Sequence, residues 1–501
     1  MAAAVDLEDY RAAAERFLKQ IEREYLLHLS GRKRELEVRP IYARHRGLFE
    51  RPVVERLRDA ADDGASTEAR RRRHLLHFAL DGLLGEATKA EAEEVAALEA
   101  SLEVLGVPYR RVPVEQANEA ERDRREELER ARDALLADRL NPIHLRALER
   151  SHAICRELGW ESYAAAYAEL RGLDLAALEG RGADLLAATE GVYAPSVDPQ
   201  LEGASLPPLG ELRRSDLPRF FRAAGLDSGF APERLVPSLA ETLAGLGIDL
   251  SGQAGVHLDT DSRPTKSPRA FCSPVRVPDE VHLVISPGGG RDDFAALFHE
   301  AGHTEHYACT DPGLAFEFRH LGDNAVTESF AFLLEHLTES STWLRARLGV
   351  GEPEAVVAHA RAVRLVMVRR YCAKLAYERE LHGGEELGSM PARYARLLEG
   401  ATRASWAREG WLTDVDAGFY VACYLRAWAL AALWREEVEE RFGGRWFERP
   451  AAGRWLRGLW AQGQRLSAEE LAREAVGREL SFEPLARELG AAVAAGSPSG
   501  G

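Results

Sequence analysis

A mainly α-helical protein with one short β-sheet is what this sequence predicts. Three observations carry that reading. Apolar residues recur at three-to-four spacing along most of the chain, the period of a helix with one buried face. Only residues 254–286 read as strand, in short β-branched or alternating runs bounded by Pro and Gly. The 501 residues are 46% hydrophobic and 29% charged, which is enough apolar material for two large lobes and too much for wholesale disorder.

The elements follow in order. Residues 7–29 place Leu7, Tyr10, Phe17, Leu18, Ile21 and Tyr25 at helical spacing. Residues 86–104 and 115–139 repeat the pattern, with charge on the outer face. Arg70–Arg73 read as a solvated helix end. Asn141-Pro142 starts another helix, which Gly159 closes, and a further one opens near Glu161. Residues 194–216 hold four prolines and two glycines and read as loop, with a lobe boundary near 195–210. The expected division is an N-terminal helical lobe at 1–200, a catalytic lobe at 201–490 and a flexible tail at 491–501. Val256–Thr260 and Val281–Ile285 are the strand candidates. Residues 292–310, 324–348, 353–383, 390–401 and 417–442 return to helix.

Charge and cysteine usage exclude some partners. Lys+Arg is 65 and Asp+Glu 81, a net of −16, which argues against nucleic acid or an anionic membrane as partner. The first ten residues carry acids where a signal peptide needs positive charge, and no run approaches 18 uncharged apolar residues. Five cysteines are widely spaced without a CxxC, which reads as free thiols in a reducing cytoplasm.

The chemistry concentrates in His299-Glu300-Ala301-Gly302-His303. On a helix, positions i and i+4 differ by about 40° around the axis and about 6 Å along it, so two imidazoles can share one metal ion. Glu300 sits beside them, within reach of an activated water without being a ligand. With 15 His in the chain, chance gives roughly 0.05 such matches, so context has to strengthen the motif. It does. Phe294, Leu297, Phe298 and Ala301 form an apolar face, Gly288–Gly290 break the chain before it, and Asp292 or Asp293 can cap it.

A catalytic zinc needs a third protein ligand. His306 points off the metal axis, and His320 sits in a loop region. Glu328 lies on an apolar helix that starts at Asp323-Asn324, with Phe330, Leu333, Leu334 and Leu337 burying it. Glu335 follows seven residues on, nearly on the same face. The reading is Glu328 as ligand and Glu335 as hydrogen-bond acceptor for a ligand imidazole, with one Zn2+ per chain.

These residues resemble peptidase family M3, the gluzincins of the thimet oligopeptidase and oligoendopeptidase F type. Phe298-His-Glu-Ala-Gly-His303 with Glu328 twenty-five residues later is similar to that family's core. Ala270-Phe-Cys272 followed by Val281–Ile285 is similar to its strand pair, and Phe419-Tyr-Val-Ala-Cys-Tyr424 to its late tyrosine segment. The match covers about residues 255–440.

The resemblance implies a two-lobed helical metallopeptidase with a deep channel, hydrolysing internal bonds of short unfolded peptides. Glu300 would be general base, and Tyr420 and Tyr424 would stabilise the oxyanion and bind substrate. The edge strand at 281–285 would pair with the peptide backbone, which sets His282 and Val284 against the substrate. The family's His ahead of the tyrosines has no counterpart in 404–418. An M32-like metallocarboxypeptidase, which also has HExxH and a distal Glu, is the alternative, and a non-catalytic binding protein on the same scaffold is a third reading. A structural zinc is disfavoured, because no fourth Cys or His ligand is apparent.

Overall fold

The computed structural model describes residues 6–60, 66–384 and 386–490. The tail expected to be flexible, 491–501, lies outside them. The chain is mainly helical, as its periodicity predicts. The helices used below are α1 (Leu7–Leu29), α2 (Leu175–Gly203), α3 (Leu235–Gly245), α4 (Arg291–Cys309), α5 (Asn324–Glu335), α6 (Glu354–His382) and α7 (Tyr420–Phe442). Asp6 caps α1, its carboxylate accepting the N–H groups of Glu8 and Asp9.

The chain divides into two compact units, each assembled from separated segments. The first holds Met1–Leu80, Leu226–Val357 and Arg426–Leu485, and the second Asp81–Gly225, Ala358–Leu425 and Ala486–Gly501. This interleaving differs from the contiguous split expected at 200. The expected boundary falls inside α2, which runs through Pro195 and Pro199 to Gly203. Both prolines are exposed, four residues apart on one face. The carbonyls they leave without a helical donor, those of Gly191 and Pro195, belong to exposed residues that water can reach, so the helix tolerates them.

In the first unit a three-stranded sheet forms from β1 (Val256–Asp259), β2 (Phe271–Arg276) and β3 (Glu280–Val284), in the order β1-β3-β2. β1 runs parallel to β3 and β2 antiparallel to it. His257 pairs with His282, and His282 with Ser273, so these three side chains share one sheet face. On that face Leu26 of α1 packs with Val275, Val284 and Phe271. α4 packs on α5, and Gly302 marks their crossing. A Cβ there would stand 2.5 Å from the Ala331 Cα and from the Phe330 carbonyl oxygen.

Arg70, Arg71 and Arg72 depart from the solvated reading. Arg70 donates to the Arg465 carbonyl and Glu470, and Arg71 to Glu68 and the fully buried Glu317. Arg72 donates to Glu68. The half-buried guanidinium groups are spent on internal carboxylates. Ala417–Phe442 is apolar and long enough to cross a membrane by composition, and 83% of its most apolar window is buried within the protein.

In the second unit one core cluster gathers Val104, Tyr109, Val112, Leu128, Leu136 and Leu140. The chain passes from this unit back to the first inside α7, between Leu425 and Arg426.

Candidate metal centre

α4 presents the motif as its spacing predicts. Its N-terminus is set by Gly290, at φ +86°, and by the Asp227 carboxylate, which accepts the Arg291 N–H at 3.0 Å. Asp293 turns back instead to the Gly288 N–H, so the capping acid comes from upstream and not from the motif's own flank. Phe294, Leu297, Phe298 and Ala301 are buried, which orients His299 and His303 to one side.

α5 supplies the rest. Asp323 caps it by accepting the Ala325 N–H, and Asp323 is itself gripped by the buried Arg426, which also pairs with Glu469. Arg426 is thus an internal strut behind this helix. Glu328 projects from α5 with its Oε2 3.5 Å from His299 Nε2 and 3.7 Å from His303 Nε2. The three ligand atoms lie within 4.8 Å of one another, the one such cluster of metal-binding groups among the described residues. His306 turns away, its Nε2–H donating to the Gly463 carbonyl at 3.2 Å.

The outer contacts fix the tautomers. With Nε2 of each imidazole facing Glu328, His299 Nδ1–H donates to Glu335 at 2.8 Å, and His303 Nδ1–H to the Thr327 hydroxyl at 2.8 Å. Thr327 also bonds the Tyr307 hydroxyl. Glu335 lies against His299, one of the two imidazoles expected to bind the metal. Thr327 and Tyr307 were not singled out by sequence; their one signal is position, beside Glu328 and one turn after His303.

Zinc fits this donor set. Two atoms bound at about 2.0–2.1 Å with tetrahedral angles lie roughly 3.3–3.4 Å apart, close to the separations found here. Two imidazole nitrogens and a carboxylate oxygen also suit a borderline cation.

Electrostatics agree. Burial pushes His303 down to about 3, which keeps its ring neutral. Burial works the same way on His299, but hydrogen bonds to Glu328 and Glu335 outweigh it and raise the ring to about 10. Three carboxylates converge here, and a positive charge is what they favour. Glu300 is raised to about 7, chiefly by burial, against the lowering effects of the His299 charge and the Cys272 N–H. That N–H donates to Glu300 Oε2 at 2.8 Å, from β2.

The substrate strand expected at 281–285 is corrected by the sheet order. β3 is the middle strand, paired on both sides, so His282 and Val284 have no free backbone edge to offer a peptide. The free edges are those of β1 and β2. Tyr420 and Tyr424 lie in the second unit on the first turns of α7, with rings 5.0 Å apart, and Tyr371 of α6 stands edge-on to Tyr424 at 5.5 Å. All five cysteines are free, consistent with packing roles.

No family model matches the chain, and no curated protein does. Solved structures do. A Pyrococcus furiosus carboxypeptidase matches with a TM-score of 0.60 and 15% identity, over 96% of this chain and 98% of that one. An M32 carboxypeptidase from Deinococcus radiodurans R1 matches with a TM-score of 0.57 and 15% identity, over 96% and 97%. The chain therefore shares the fold of these two carboxypeptidases along nearly its whole length. Both neighbours carry the name of the alternative weighed from the sequence, carboxypeptidase, and not that of family M3.

Proposed function

We propose that the protein is a zinc-dependent metallopeptidase that shortens peptides from their C-termini. The observation that carries the peptidase reading is the convergence of His299, His303 and Glu328, with Glu300 held beside them by the Cys272 N–H. The fold of the two carboxypeptidases favours the carboxypeptidase mode over the endopeptidase mode that the M3 resemblance implies.

His299, His303 and Glu328 would hold the ion. When bound, zinc supplies Lewis-acid polarisation of a carbonyl and acidifies a water. The chain does the rest. Glu300 removes a proton from the attacking water at its carboxylate and returns it to the departing amine nitrogen. Glu335 and Thr327 keep both imidazoles in the tautomer that leaves Nε2 free to bind. The Cys272 N–H points to Glu300 and so away from β3, which puts the Cys272 carbonyl on the same free edge of β2. A peptide extended along that edge would bring an amide to Glu300. Tyr420 and Tyr424 stay in the proposal as donors to the oxyanion.

Mass spectrometry of a mixed peptide library incubated with zinc-loaded protein, beside Glu300→Gln, tests this. Stepwise loss of C-terminal residues, absent from the variant, supports it. Internal cuts restore the endopeptidase reading. Zinc binding without any cleavage sinks both and leaves the binding-protein reading.

A further inference from the structure

The sheet has a second free edge, and it opens on a groove that the metal centre does not use. A recess of about 1140 Å³ runs beside β1, within the first unit. Val236, Ala240 and Ala244 of α3 wall it on one side, and Arg32 and the stacked pair His257–His282, with ring centres 4.6 Å apart, on the other.

The register tells which backbone groups face that recess. The Val281 N–H bonds the Gly255 carbonyl, and the Ile285 N–H bonds the Asp259 carbonyl. In a parallel pair both backbone groups of a residue point the same way, and successive residues alternate. Residues 255, 257 and 259 therefore turn to β3, and 256 and 258 turn outward. The Val256 N–H is taken by the Gln253 carbonyl. The Val256 carbonyl and both backbone groups of Leu258 are left at the edge, and the Leu258 side chain is 38% exposed. An uncovered edge with an apolar rim is a template for strand addition.

We infer that this groove binds a short extended peptide as a fourth strand on β1, with aliphatic side chains at every second position. Backbone groups are what the edge offers, and only another backbone complements them in a row. The pleat decides the side chains. One alternate set faces Val236, Ala240 and Ala244 and is aliphatic, and the other faces Arg32 and His257 and is polar. A second copy of this chain is the poorer occupant. Its own β1 is recessed behind the same α3 wall, whereas a free peptide brings no wall. The inference does not depend on the metal.

The test uses the full chain, zinc-loaded, carrying Glu300→Gln so that the probe stays intact. The probe is a fluorescent blocked heptapeptide, acetyl-KVTVTVK-amide, read by anisotropy and hydrogen exchange. Two further versions carry N-methyl groups on all valines or on all threonines. Because amides on one edge of a strand alternate, one methylated version binds at least tenfold more weakly and the other binds as the parent does. Leu258→Pro, which removes the outward N–H, also weakens binding at least tenfold, while Leu258→Ala retains most of it. The peptide slows exchange at the Leu258 amide and leaves Cys272 unchanged. Equal binding of all three peptides overturns the inference, as does protection at Cys272 in place of Leu258. Sedimentation showing a dimer that Leu258→Pro dissolves assigns the edge to a second copy and equally overturns it. These readouts are independent of cleavage, so failure of the peptidase reading leaves them intact.

Discussion

The Cys272 amide and the Glu300 carboxylate are bound to each other, 2.8 Å apart, across the junction of β2 and α4. The sheet edge thereby fixes the orientation of the acid next to the two imidazoles. Glu300→Gln keeps an oxygen for that amide while it removes the base. The expected outcome is a fall in kcat of about 10²–10⁴-fold with zinc affinity nearly unchanged. Stopped-time peptide assays and zinc titration check it. A variant as active as the parent would remove Glu300 from the mechanism.

Thr327 and Glu335 each hold one of the two candidate ligand rings, so on the proposed zinc site Thr327→Val and Glu335→Gln should weaken zinc by about 10–100-fold each. Competition against a chelator of known affinity measures this. His303→Ala should lose more than either, because it removes a ligand outright. Equal affinity in all three would mean the ion sits elsewhere.

Gly302 lies where α4 and α5 cross, with no room for a methyl group. Gly302→Ala has to push the Ala331 backbone away. The expected cost is about 1–3 kcal/mol of stability, together with weaker zinc binding, since the ligand Glu328 rides on the helix that is displaced. Denaturant unfolding with and without zinc reads both. A fully stable variant that binds zinc normally would show that the crossing is looser than its geometry.

Asp133, in the second unit, is pushed up to about 7, first by burial and then by the Glu129 charge, with Arg214 and Arg132 opposing. Its folded pKa lies above its unfolded value near 3.9. Its contribution is therefore fully present below about pH 4 and is lost as pH rises through 7. Asp133→Asn removes that dependence. The variant should be more stable than the parent at pH 8 by about 1–2 kcal/mol, and the difference should shrink toward pH 5. Unfolding curves at the two pH values decide it, and a variant less stable at pH 8 would contradict the assignment.

What the sequence disclosed follows the range of the interactions involved. His299, His303, Glu328 and Glu335 were legible because helical spacing is local. Four residues along, or seven, a side chain returns to the same face whatever the rest of the fold does. Strand order was not legible. Residues 281–285 look like any short strand, and only pairing with residues far along the chain makes β3 central. The Cys272 amide left no trace, since every residue but proline has one. Pro195 and Pro199 misled in the other direction, because a proline breaks a helix by what it denies a buried carbonyl, and theirs face water. Arg70 and Arg71 misled because the acids Glu470 and Glu317, to which they donate, lie in distant segments.

The threading of the two units has a consequence for synthesis on the ribosome. Glu328 and its helix leave the exit tunnel about a hundred residues before Arg426, the side chain that anchors the helix's cap. The first unit cannot close until its third segment, Arg426–Leu485, has been made. Closure of the candidate metal-binding pocket therefore waits for a segment made about a hundred residues after the helix that carries Glu328. A nascent chain or a truncation product ending before Arg426 would carry the whole HExxH motif without the strut that steadies its partner helix.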